Sequence, residues 1–194
     1  MSSSLKHAAD RRLLLRWLAV GPAALSLALR ERVALAGTLV ERLAAEPREL
    51  SMVNLHTQER LEVRYFEDGA YRPDALNQLN HLLRDHRSDE TAIIDHRLFD
   101  QLHLLAASAR CNPHFEIISG YRSPATNEKL RESSTGVARH SLHMEGRAID
   151  VRLSSIRCDR LRELAIGLQL GGVGYYASSN FVHLDTGGVR TWTG

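Results

Sequence analysis

Two histidines and one aspartate in the second half of the chain have side chains that bind metal ions. They are His143, Asp150 and His183. Two imidazoles and one carboxylate form a ligand set of catalytic zinc, in which three protein ligands leave the fourth position to water. Taken singly, each residue has another interpretation, since a histidine in a strand is more often a hydrogen-bonded core residue. The pattern alone leaves open whether the three residues share one Zn²⁺ ion or have separate structural roles.

The hydrophobic pattern places these residues on two strands and at a strand edge. Asp150 lies in the apolar run Ala148–Leu153, which predicts a buried strand, so its carboxylate must face a cation or several hydrogen-bond donors. Alternation in Phe181–Asp185 puts residues 181, 183 and 185 on one face of a second strand. His143 ends a polar loop predicted over 134–143. A sheet and its edge loop would therefore supply all three side chains.

The rest of the chain predicts helices around a small sheet. Helices are expected to begin at Pro73, at the caps Asp95 and Ser123, and at the cap Ser155. Besides the two strands above, strands are predicted at 52–56, 61–66 and 115–119, and helices at 73–86, 95–109, 123–133 and 155–170. The glycine-rich segment 171–174 is predicted to interrupt the regular structure, and the C-terminal tail ends at Trp192. This order predicts an α+β fold with a small, mainly antiparallel sheet packed with helices.

Composition limits the class of protein. The chain has 194 residues, of which 43% are hydrophobic and 25% charged, as in one soluble globular domain. Its two cysteines cannot form a disulfide framework or a four-cysteine zinc site, whereas ten histidines are available as ligands. The net charge of +2 is concentrated near the N-terminus, so a basic nucleic-acid surface is not expected. No pattern indicates an oligomeric state.

Several motifs resemble the D-alanyl-D-alanine carboxypeptidase family of zinc peptidases. The pattern Ser-x-His-x-x-Gly-x-Ala-x-Asp at 141–150, followed by His-x-Asp at 183–185, is similar to the motifs of that family. Ser-Gly-Tyr-Arg-Ser at 119–123 matches the segment that precedes the site. Residues 54–57, 171–176 and 179–183 resemble, more narrowly, the murein endopeptidase K branch. The resemblance implies the small α+β core that this family shares with lysostaphin-type peptidases and Hedgehog domains.

The resemblance also implies an activity and a set of site residues. His143, Asp150 and His183 would bind one Zn²⁺ ion, and Arg122 would stabilise the oxyanion or hold a substrate carboxylate. The implied function is a zinc endopeptidase that hydrolyses cross-links between peptidoglycan stem peptides. Two alternatives are a D,D- or L,D-carboxypeptidase that trims the same stems and a non-catalytic wall-binding domain.

The general base departs from the family pattern. Several carboxypeptidases of the family place a glutamate three residues before the last histidine ligand, and here that position is Asn180. Asp185 is the first candidate for the base, with orientation of a ligand imidazole as its rival role. His140 is the second candidate and Glu145 the third.

Residues 1–36 resemble a twin-arginine export signal. Arg11 and Arg12 precede an uncharged run over 17–29 that is too short to cross a membrane as a helix, and small residues at 34–36 offer a cleavage site. The expected organisation is therefore a signal at 1–36, a linker at 37–50 and a zinc peptidase domain at 51–194 in the periplasm. The leader would be removed or kept as an anchor; the alternative is an N-terminal amphipathic helix.

The sequence also predicts the surroundings of two residues near the C-terminus and of the two cysteines. Arg190 and Trp192 are expected to line the substrate groove, with packing of the C-terminus as the alternative. Cys111 and Cys158 either pair after export or, as the default, are buried like small apolar residues.

Overall fold

The computed structural model describes residues 46–110, 114–133 and 137–194. The predicted signal at 1–36, most of the predicted linker and Cys111 lie outside the described residues. The helices are α1 (Pro73–Leu82), α2 (His96–Ala109), α3 (Pro124–Ser133) and α4 (Cys158–Leu168), with a 3₁₀ turn at Leu142–Glu145. The strands are β1 (Arg48–Asn54), β2 (Arg60–Glu67), β3 (Ala70–Tyr71), β4 (His114–Ser119), β5 (Ala148–Leu153), β6 (Gly172–Tyr176), β7 (Phe181–Asp185) and β8 (Arg190–Thr193).

One mixed sheet contains all eight of these strands, in the order β3-β2-β1-β4-β5-β7-β6-β8. The pairs β1–β4 and β6–β8 are parallel, and the other neighbouring pairs are antiparallel. The prediction of an α+β protein with a mainly antiparallel sheet is therefore confirmed.

Helices α1, α2 and α4 cover one face of the sheet with apolar side chains. α1 packs against β2, α2 against β1 and β5, and α4 against β5, β6 and β7. Alternation along β5 and β7 turns Ile149, Val151, Val182 and Leu184 into this core. Asp150 and His183 therefore point to the opposite face. No helix in the described part of the chain is long and apolar enough to span a membrane.

Local capping chemistry explains two helix starts. α1 begins with Pro73, whose missing N–H costs nothing in the first turn, and buries Ala75, Leu79 and Leu82. The Asp95 side chain accepts a hydrogen bond from the Arg97 backbone N–H and caps α2, as predicted.

Long-range contacts move two predicted boundaries. α1 ends at Leu82 instead of about 86, because the buried carboxylate of Asp85 accepts from the backbone N–H groups of Arg87 and Ser123 and fixes a turn there. β1 begins at Arg48, inside the predicted linker, where the Arg48 guanidinium lies over the Phe66 ring and pairs with a carboxylate of α2 at 2.6 Å.

Three predictions in the C-terminal third are wrong. Ser155 lies in a turn after β5 and does not cap α4, which begins at Cys158 with Arg157 at the N-cap. The glycine-rich break at 171–174 is mostly the strand β6, and the predicted tail forms the strand β8. The glycine-rich β6 carries no hydrophobic alternation, and β8 is a short, mostly exposed edge strand, so both are recognisable only by their pairing.

Candidate metal centre

Two adjacent strands supply two of the predicted ligands. β5 and β7 are antiparallel, and their register places Asp150 directly opposite His183. Side chains of directly opposed residues lie on the same face of a sheet, which brings the carboxylate to the imidazole. Asp150 Oδ1 lies 2.8 Å from His183 Nδ1.

His143 reaches the same point from the 3₁₀ turn at Leu142–Glu145. The predicted polar loop therefore ends at Ser141, two residues before His143, whose side chain is buried. Gly146 closes the turn with a φ of 65°, and an added Cβ would strike the carbonyl of Ile93, so this position requires glycine. The Arg122 backbone N–H donates to the His143 carbonyl at 3.2 Å and fixes the turn against the segment after β4.

The three predicted ligands meet with the spacing of a coordination site. His143 Nε2 lies 3.2 Å from His183 Nδ1 and 3.4 Å from Asp150 Oδ1. Ligands at about 2.0–2.1 Å from a tetrahedral ion are about 3.3 Å from one another. The three atoms can thus occupy three corners of one tetrahedron.

The outer nitrogen of each imidazole faces an oxygen acceptor. His143 Nδ1 lies 2.7 Å from the carbonyl oxygen of Gly120, and His183 Nε2 lies 3.2 Å from Asp185 Oδ2. Because these oxygens only accept, neutral imidazoles present their lone pairs at His143 Nε2 and His183 Nδ1. Together with Asp150 Oδ1, three acceptors converge on one point, and this donor set fits a divalent cation.

The electrostatics of the cluster favour a positive charge at its centre. Burial alone would raise the pKa of Asp150, but the facing imidazoles of His143 and His183 lower it. Burial alone would lower the pKa of His183, yet its contacts with the carboxylates of Asp150 and Asp185 raise it to about 9. A cation at the cluster would take the place of that proton.

An open cleft of about 530 Å³ lies over the cluster. One wall is aromatic: the rings of Tyr176 and Phe181 stack at 4.6 Å, and Trp192 Nε1 donates to the Tyr176 hydroxyl at 3.1 Å. Arg122 and His140 also line the cleft. Its size suits a short peptide segment lying across the three ligands.

Comparison with known proteins identifies the family. The family model described as peptidoglycan L,D-endopeptidase MepK matches residues 42–192. The chain belongs to this peptidase family. MepK of Escherichia coli (strain K12) is 41% identical over 187 residues, which cover 96% of this chain and 99% of that protein. A probable MepK of Haemophilus influenzae is 37% identical over 180 residues, covering 92% and 95%. No solved structure gives a significant match.

Arg122, which the family resemblance predicts to stabilise the oxyanion or hold a substrate carboxylate, lines the cleft. Its Nη1 makes one long contact of 3.4 Å with Asn127 Oδ1, and its Nε is buried without a hydrogen-bond partner in the described chain. Burial lowers the pKa of Arg122, while the charge of Asp150 raises it. A guanidinium with this much unused donor capacity is suited to an anionic group bound in the cleft.

The contacts of Asp185 support its orienting role over its role as a base. The side chain is fully buried, and its oxygens accept from the backbone N–H groups of Gly172 and Gly187, from the Arg190 guanidinium and from His183. Burial alone would raise its pKa, but these hydrogen bonds lower it. Such a carboxylate is a weak proton acceptor.

The other base candidates lie in different surroundings. His140 is exposed at the cleft. Glu145 is exposed, pairs with Arg147 at 3.0 Å and is not among the residues that line the cleft. Asn180 has a φ of 51° in the turn before β7 and lines a separate pocket beside Cys158, which is buried. His140 is therefore the remaining candidate that faces the cleft.

The sequence did not reveal two supports of the site. The Gly120 carbonyl accepts from His143, and Asp85 holds the arginine segment by accepting from the Ser123 backbone N–H at 2.9 Å. Neither has a local signal, because each acts on a residue distant in sequence.

Proposed function

We infer that the protein is a metal-dependent peptidoglycan endopeptidase that hydrolyses peptide cross-links between stem peptides. The observation that carries this conclusion is the convergence of His143, Asp150 and His183 at the floor of an open cleft. Membership of the MepK family supports the same substrate. Since the relatives are named L,D-endopeptidases, we propose L,D cross-links as the bonds that are cut.

We propose that the metal is one Zn²⁺ ion held by His143, Asp150 and His183. Two imidazole nitrogens and one carboxylate oxygen suit zinc, and an open fourth position is typical of its catalytic sites. When bound, zinc supplies Lewis-acid chemistry and makes water nucleophilic at neutral pH.

The protein's own residues would perform the remaining tasks. The guanidinium of Arg122 would bind the oxygen that becomes negative as the peptide bond is attacked. The Gly120 carbonyl and Asp185 hold the two imidazoles in the required orientation. His140, exposed at the cleft, is the proposed proton carrier between the attacking water and the leaving amine.

Digestion of defined muropeptides tests this function. Purified protein should convert cross-linked dimers to monomers, with the products identified by mass spectrometry, and a chelator should stop the reaction until zinc is restored. Shortened stems on intact dimers would instead identify a carboxypeptidase, in which Arg122 holds a free carboxylate. A zinc-loaded protein that cuts no muropeptide would identify a wall-binding domain.

We also propose that the enzyme works in the periplasm. Arg11 and Arg12, followed by an apolar run, support export by the twin-arginine route, with residues 1–36 as signal and the peptidase domain beginning near 51. Changing both arginines to lysine should leave the protein in the cytoplasm in a fractionation experiment. Unchanged recovery from the periplasm would contradict the proposal.

A further inference from the structure

The strand β8 places an arginine, Arg190, in the lining of the cleft beside the metal cluster, as predicted for Arg190 and Trp192. Arg190 Nη1 donates to Asp185 Oδ1 at 3.0 Å, and its Nη2 donates to Asp185 Oδ2 at 2.6 Å. This is a two-point contact between a planar guanidinium and a carboxylate, which fixes both position and orientation. The Asp185 side chain has no exposed surface, whereas 47% of the Arg190 side chain is exposed.

The two oxygens of Asp185 have different partners. Oδ1 accepts from the backbone N–H groups of Gly172 at 3.1 Å and Gly187 at 2.8 Å, in addition to Arg190. In the described chain, Oδ2 accepts only from Arg190 and from His183 Nε2. The oxygen that orients the ligand imidazole is therefore held in place by Arg190.

The neighbouring strand is shaped to admit this arginine. An added Cβ at Gly172 would strike both the Asp185 carboxylate and the Arg190 guanidinium. The guanidinium also lies 5.0 Å from the centre of the Trp192 ring, which in turn lies 5.2 Å from the His183 ring. Arg190 is thus packed into the site from several sides.

We propose that Arg190 is a positioning residue of the metal centre. It holds the Asp185 carboxylate so that His183 presents Nδ1 to the cluster, and it acts through Asp185 without contacting the substrate. Both terminal nitrogens of Arg190 already donate to Asp185, whereas within the described residues Arg122 makes one hydrogen bond of 3.4 Å to Asn127 and its buried Nε has no partner. This inference rests on the proposed metal site.

Zinc affinity, measured by competition with a chromogenic chelator on the full-length protein, tests the proposal. Arg190→Gln should raise the Kd for Zn²⁺ by about 10- to 100-fold, as expected when a group that orients a metal ligand is lost. Arg190→Lys should recover part of this loss, since one ammonium can still contact Oδ2. Arg160→Gln removes another arginine, paired with Glu163 on α4, and should leave the Kd unchanged.

A double-mutant cycle shows whether Arg190 acts through Asp185. In the Asp185→Asn background, Arg190→Gln should change the Kd by less than about threefold, because coupled residues are not additive. The same fold-change in both backgrounds would overturn the proposal, as would a raised KM with unchanged zinc affinity. Thermal unfolding without zinc verifies that each variant folds.

Failure of this inference is distinguishable from failure of the proposed function. Wild-type protein that binds no zinc would overturn both. Wild-type protein that binds zinc, together with a folded Arg190→Gln protein that binds it equally well, would overturn the role of Arg190 alone.

Discussion

Among single residues, the two arginines of the cleft differ in how their charges are used. Arg190 is engaged by Asp185, whereas within the described parts of the chain Arg122 makes one hydrogen bond of 3.4 Å to Asn127 and its buried Nε–H has no partner. An unsatisfied buried donor is costly in the free protein. Binding of an anionic group would remove that cost, so Arg122 is the residue suited to recognise developing charge.

Replacing Arg122 should therefore impair turnover without impairing metal binding. Arg122→Gln is expected to lower kcat/KM for a cross-linked muropeptide by about 10²- to 10³-fold. Arg122→Lys should recover little, because an ammonium lacks the planar fork of donors. Steady-state kinetics and a zinc competition assay measure the two effects. A parallel fall in zinc affinity would show that Arg122 instead supports the ligands.

His86 gives the protein a pH-dependent stability. Its ring stacks on His56 at 3.8 Å. Burial, with Arg87, His56 and Arg122 nearby, lowers its pKa to about 4 against the opposing effect of Asp85. Between about 4 and the ordinary value of 6.5, the unfolded chain binds a proton that the folded chain does not. This residue therefore makes stability fall as the pH drops through that range.

Substitution of His86 isolates this effect. His86→Gln should lose less stability than the wild type when the pH is lowered from 7 to 5, even if its stability at pH 7 is lower. Urea unfolding in the presence of a chelator at both pH values measures the difference. Equal losses in the two proteins would exclude His86 as a source of acid sensitivity.

Among the elements, the strands that carry ligands were predictable and the strands that support them were not. β5 and β7 have the apolar or alternating patterns that define strands, and their predicted bounds match the structure. β6 was missed because Gly172 and Gly174 carry no side-chain pattern, and β8 was missed because it is a short, mostly exposed strand at the edge of the sheet. Gly172 is required because Arg190 lies against it, and Gly174 because Trp192 lies against it. Both contacts come from the neighbouring strand, so the local sequence of β6 does not reveal them.

A glycine substitution in β6, with one in α4 as its control, tests this explanation. An added Cβ at Gly174 would lie 2.5 Å from the Trp192 ring, so Gly174→Ala should lower the free energy of unfolding by about 1–3 kcal/mol. Gly167, on α4, has no atom within 4 Å of such a Cβ. Gly167→Ala should raise stability by about 0.5–1 kcal/mol, since glycine is unfavourable in a helix. Chemical denaturation measures both changes, and a neutral Gly174→Ala would contradict the close packing.

At the scale of the whole molecule, the sheet converts distant segments into one site. The sequence predicted His143, Asp150, His183 and Arg122 as site residues from residue type and motif resemblance, which are local properties, and the structure places all four at one cleft. It did not identify the Gly120 carbonyl, Asp85 or the partner of Arg190, since each depends on how non-neighbouring segments pack. The choice between the two roles of Asp185 likewise required its burial and hydrogen bonds.

The metal content of the purified protein tests the central claim most directly. After dialysis against buffered zinc, wild-type protein should retain one Zn²⁺ per chain by mass spectrometric metal analysis. His143→Ala should retain far less and should cut no cross-linked muropeptide. His81→Ala, at an exposed histidine of α1, should behave as the wild type. A His143→Ala protein that retains the same zinc and activity would contradict the assignment of this cluster as the catalytic metal centre.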